Sequence, residues 1–101
     1  MDFLALDVET ANADLASICQ IGVAHFSDGK LANEWQSYVD PQGYFDPINV
    51  SIHGIDENKT AGAPRFGQLL PILRPLVENQ VVVTALVHLA GFGVRCPSGL
   101  V

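Results

Sequence analysis

Phe3-Leu4-Ala5-Leu6-Asp7-Val8-Glu9-Thr10 begins as an apolar run and ends in two acids. Residues 2–8 read as a β-strand, and side chains two apart on a strand leave from the same face. Asp7 and Glu9 therefore converge where the strand emerges from its sheet. Like charges side by side are unfavourable unless something positive lies between them, and a divalent metal supplies that charge. The simpler alternative is a pair of solvated acids at a strand end. An isolated Asp-x-Glu does not separate the two.

Outward from this run, the residues after Thr10 form a polar loop containing Asn12, Asp14 and Ser17. Residues 18–26 read as a second strand, in which Gly22 suggests a bend or a close backbone approach. Ser27-Asp28-Gly29-Lys30 is a hairpin turn signal, so residues 31–39 return as an antiparallel third strand. Asp40-Pro41-Gln42-Gly43 ends the sheet locally. Residues 44–64 are irregular, with short helical turns expected at 49–52 and 56–59 and with Asn49, Ser51 and Asp56 as candidate caps. Pro64 is placed to open a helix. Phe66, Leu69, Leu70, Leu73, Leu76 and Val77 give that helix one apolar face, while Pro71 and Pro75 predict a kink or break. Val81-Val82-Val83-Thr84 is a β-branched run suited to a strand covered on both faces. The pattern alone supports an α/β class with a mixed sheet.

At 101 residues the chain supports one modest domain, and its 49% apolar content excludes disorder by composition. No apolar run reaches the ~18–20 residues of a membrane span, and no signal peptide precedes the first strand. Cys19 and Cys96 have neither metal-site nor redox spacing, and Cys19 reads as core on the second strand. The default location is cytoplasmic. Net charge is −6, with only five basic residues scattered along the chain. That balance fits poorly with metal-free binding of long nucleic acid. It remains compatible with a metal-dependent nuclease, where ions offset both the carboxylates and the substrate phosphate.

Four landmarks carry a family resemblance. Phe3-Leu4-Ala5-Leu6-Asp7-Val8-Glu9-Thr10-Ala11-Asn12 resembles the first motif of the DEDD family of 3′–5′ exonucleases, to which a proofreading subunit of bacterial DNA polymerase III belongs. Ile18-Cys19-Gln20-Ile21-Gly22-Val23-Ala24 is similar to the family's second strand, and Trp35-Gln36-Ser37-Tyr38-Val39-Asp40-Pro41 to its third. Ile52-His53-Gly54-Ile55 is similar to a turn near the family's active site. The likeness covers residues 2–84. It implies the start of a ribonuclease-H-like α/β fold, with three antiparallel strands, a helix and a fourth strand parallel to the first. It also implies hydrolysis at the 3′ end of single-stranded nucleic acid with two divalent ions, Mg²⁺ or Mn²⁺, and association with a DNA polymerase. By the same resemblance Asp7 would be a ligand shared between the ions, and Glu9 a ligand that also orients the attacking water. Thr10, Ala11 and His53 would lie against the terminal nucleotide.

The resemblance implies further groups that the chain lacks. The family places an aspartate several residues after the fourth strand, and later a histidine base with a last carboxylate. After Glu78 the chain contains no Asp or Glu. His88 comes too early for the base and has no aspartate downstream, while His25 reads as an ordinary strand residue. Residues 85–101 lose all periodicity and turn to Ala, Leu, Val, Gly, Pro, Ser and Cys. Two expectations follow for them: an altered or truncated continuation, for example by a frameshift, or a divergent relative with its own closure. For the chain as a whole the expectation is an exonuclease-domain part that is inactive by itself. The alternative is a non-catalytic remnant or interaction module.

Overall fold

The computed structural model describes residues 2–85, so the expectations for the tail from residue 86 onward lie outside the described residues. The chain runs β1 (Phe3–Thr10), β2 (Ile18–Ser27), β3 (Lys30–Tyr38), α1 (Pro47–His53), α2 (Glu57–Thr60), α3 (Phe66–Val77) and β4 (Val82–Ala85). The described strands form one sheet in the order β3-β2-β1-β4. β1 is antiparallel to β2 and parallel to β4, and β2 is antiparallel to β3. This is the mixed sheet expected from the sequence.

Local chemistry explains the connections. Asp28 and Gly29 take φ of 52° and 76°, the pair of left-handed residues that a tight hairpin between right-twisted strands requires. Asp46 caps α1 by accepting from the Ile48 N–H, with Pro47 at the first helical position. Asp56 caps α2 as expected. Asn49 and Ser51 are not caps; Ser51 lies inside α1 and donates to the Ile48 carbonyl.

Pro64 does not open α3. The Pro64 carbonyl accepts from the Asp40 N–H at 2.8 Å, Asp40 and Arg65 form a short parallel bridge, and the helix begins at Phe66. The Gln68 side chain accepts from the Arg65 N–H and satisfies one donor at that end. α3 also stays a single element through Pro71 and Pro75. Both prolines are exposed, four residues apart, so the carbonyls whose partners they remove can turn to solvent.

Leu69 and Leu73 of α3 pack on Leu4, Ile21, Val23 and Val39, with Leu6, Val8, Trp35 and Val77 around them. One face of the sheet is therefore the apolar core, and alternation along β1 sends Phe3, Ala5, Asp7 and Glu9 to the other face. Phe66 and Leu70 sit at the rim of this packing and line an open apolar groove with Leu6, Ile21, Leu73, Arg74 and Val77. At the β4 side Val81, Val82 and Val83 are each at least 40% exposed. No helix among the described residues is long and apolar enough to cross a membrane.

Candidate functional site

Asp7 and Glu9 leave the same face of β1 and are both buried, with 7% and 2% of their surfaces exposed. Their register explains the space they occupy. Asp7 lies across from Gly22 and Glu9 across from Gln20 on β2. A side chain at position 22 would stand within about 5 Å of the Asp7 Cβ, so glycine leaves room for the carboxylate. Gly22 carries no register slip: the β1–β2 ladder slips between Glu9 and Thr10 and the β2–β3 ladder between His25 and Phe26.

The strand end just past Glu9 is fastened to the segment that contains α1. The Thr10 carbonyl accepts from His53 Nε2 at 2.8 Å and from Asn49 Nδ2 at 3.1 Å. The Ala11 carbonyl accepts from the Asp46 N–H, and Asn12 Nδ2 donates to the Tyr44 carbonyl. On the loop side, the Ala11 N–H donates to the Ser17 carbonyl and the Asn12 N–H to Ser17 Oγ. His53 Nδ1 accepts from the Ile55 N–H at 3.0 Å. Gly54, with φ of 73°, reverses the chain at the end of α1 and lets Ile55 fold back. Ile55 then completes a small buried cluster with Ala11 and Cys19, against which Phe45 packs.

Thr10, Ala11 and His53 thus come together at the strand end beside Glu9. The Thr10 and Ala11 carbonyls face inward, to α1 and its leading turn. Asn49 was not singled out as a site residue from the sequence. Its place four residues before His53 on one helix face was the available signal, because such pairs point the same way. Cys19 belongs here too. Its thiol lies 3.9 Å from His53 Nε2, and its pKa is pushed from 9.0 up to about 12, first by burial and then by the Glu9 charge. Cys19 is therefore a neutral, inert core thiol near neutral pH. His25 stands across from Leu4, on the α3 side of the sheet, away from the carboxylates.

The donor chemistry suits a hard cation, since carboxylate oxygens are what Mg²⁺ and Mn²⁺ select. Two carboxylates supply only part of the six or so ligands such an ion takes. Among the described residues no group of three or more His, Cys, Asp or Glu side chains is placed to hold a metal.

No family model matches the chain. It is 26% identical over 95 residues to PolC-type DNA polymerase III of Clostridium perfringens, covering 92% of this chain and 6% of that protein. The same figures hold for the PolC-type enzyme of Thermotoga petrophila, with 7% of that protein covered. The chain thus spans well under a tenth of the curated relatives it matches. Among solved structures, exonuclease X in complex with 5′ overhanging duplex DNA superposes with a TM-score of 0.67 at 19% identity, over 92% of this chain and 66% of that one. A full-length 3′-exonuclease gives 0.66 at 17% identity, over 82% and 33%. These likenesses bear out the resemblance to the DEDD exonucleases, and the described strands form a ribonuclease-H-like mixed sheet.

Proposed function

We propose that this chain is the N-terminal part of a 3′–5′ exonuclease domain, in which Asp7 and Glu9 hold a divalent ion against the 3′ end of a single nucleic-acid strand. The observation that supports it is the convergence of two buried carboxylates at the end of the strand central to an exonuclease-like sheet. Asp7 and Glu9 would hold an Mg²⁺ or Mn²⁺ ion there, which would supply charge neutralisation at the phosphate and activation of water, and Glu9 would also orient that water. Thr10, Ala11 and His53 form the wall for the terminal nucleotide. The domain works in the cytoplasm beside a DNA polymerase, a partnership suggested by the PolC-type relatives.

In our reading the 101 residues do not turn over by themselves. Two carboxylates are too few for a two-ion site, the tail from residue 85 on contributes no acid, and neither His25 nor His53 is placed as a base. The shortage of ligands also favours the second reading, an interaction module that keeps the sheet without the chemistry. Purified chain incubated with 3′-labelled single-stranded DNA and Mn²⁺ should release no nucleotide. It should bind Mn²⁺ weakly and lose that binding in Asp7→Asn. Release that vanishes in Asp7→Ala would overturn the inactivity, and Mn²⁺ binding indifferent to Asp7 would favour the interaction module.

A further inference from the structure

We propose that His53 is the positioning residue of the Asp7–Glu9 site, a neutral imidazole protonated on Nε2 that clamps the Thr10 carbonyl and so fixes the strand end next to Glu9. The proposal deepens the exonuclease reading and rests on it for the meaning of the site, though the clamp itself is read from geometry alone. His53 Nδ1 faces a backbone N–H, that of Ile55 at 3.0 Å, and must accept. Its Nε2 faces a carbonyl oxygen, that of Thr10 at 2.8 Å, and must donate. Only the neutral Nε2–H tautomer satisfies both.

The clamp sits where the register of the sheet slips. Residues from Phe3 to Glu9 pair with β2 in unbroken register, and the slip comes between Glu9 and Thr10. Just past the slip, where Thr10 still pairs with Ile18, its carbonyl is also held by His53 and Asn49. No residue of α1 itself is buried, and the apolar packing beside it comes from Phe45 and Ile55, which flank the helix and pack with Ala11 and Cys19. The helix itself reaches the Thr10 carbonyl through two directional hydrogen bonds, and that of His53 is the shorter, 2.8 Å against 3.1 Å for Asn49. Metal sites are sensitive to such supporting bonds, and losing one typically costs ~10–100-fold in metal affinity.

Two substitutions separate the imidazole's two nitrogens. In His53→Gln the amide nitrogen reaches close to the Nε2 position and retains the donor to Thr10. In His53→Asn the amide reaches only the Nδ1 position and retains the acceptor for Ile55. Mn²⁺ titrated into the whole chain, with free ion followed by electron paramagnetic resonance, should bind His53→Gln nearly as tightly as the unsubstituted chain. His53→Asn should bind about tenfold more weakly. Equal affinities in the two variants would overturn the proposal, as would a nitrogen-15 spectrum showing His53 protonated on Nδ1 at neutral pH. Should the unsubstituted chain show no Asp7-dependent Mn²⁺ uptake, the metal reading falls, and hydrogen exchange judges the clamp separately. Faster exchange at Thr10 and Ala11 in His53→Asn than in His53→Gln then supports it, and equal exchange overturns it.

Discussion

The two halves of β1 are held by different forces. Leu4, Leu6 and Val8 lie under α3, where Leu69 and Leu73 close an apolar layer that also takes in Ile21, Val23 and Val39. Past Glu9 only a small apolar cluster of Ala11, Cys19 and Ile55 remains, and hydrogen bonds join it: Asn49 and His53 on the Thr10 carbonyl, Asp46 on the Ala11 carbonyl, and Asn12 on Tyr44. Apolar layers are strong and forgiving, because burial scales with area and not with angle. Hydrogen-bond clamps are weaker in sum and exacting in direction. The strand that carries the acids is thus anchored for stability at one end and for placement at the other.

The largest effect should come from breaking the apolar half. Leu73→Ala removes a buried side chain from this layer and should cost about 2–5 kcal/mol in urea unfolding. Next is the clamp. His53→Ala removes one donor and one acceptor and should cost about 1–3 kcal/mol. The two should also differ in kind. Leu73→Ala should raise hydrogen exchange throughout the sheet, whereas His53→Ala should raise it first at Val50 and Gly54, whose amides close α1. A His53→Ala loss that is as large and as global as that of Leu73→Ala would erase the distinction.

The same contrast governs what could be read beforehand. Alternation in Phe3-Leu4-Ala5-Leu6-Asp7-Val8, helical spacing from Leu69 to Val77 and the Asp28-Gly29 turn are repeating or strongly local signals, and they located the sheet, its hairpin and α3. Asp7 and Glu9 were legible because a period of two fixes their common face. The clamp was not, because it joins residues roughly forty positions apart through single directional bonds that leave no period. Pro64 misled for a related reason: its carbonyl serves a bridge to Asp40, a long-range bond that overrode the local preference for opening a helix. Pro47 took the first helical position, as its local preference dictates.

Smaller effects would sharpen the polar half. Asp46→Ala strips α1 of its cap but leaves the Asp46 N–H on Ala11, and should cost about 1 kcal/mol by thermal unfolding. Gly54→Ala forces a Cβ into a left-handed turn, although the space around it is open, and should also cost about 1 kcal/mol. If Gly54→Ala were silent, the reversal that brings Ile55 back to His53 would not need its left-handed geometry.

The smallest effect is a pH dependence that weighs burial against charge inside the clamp's own cluster. Cys19 has its pKa raised from 9.0 to about 12 in the folded chain, so folded protein keeps a proton that the unfolded chain releases. Below about pH 9 this contribution is fully present; above it, stability falls as pH rises, until the folded thiol also ionises near 12. Between about pH 8 and 9.5 the loss should be under about 1 kcal/mol. It should be absent in Cys19→Ala, whose cavity lowers the whole curve without adding slope. Glu9→Gln separates the causes. Burial is the larger one and the Glu9 charge the second, so the substitution should shallow the alkaline slope slightly and leave most of it in place. A slope that vanished with the Glu9 charge would mean that the carboxylate, and not the packing of Ala11, Ile55 and Phe45 around the thiol, sets the electrostatics at this end of β1.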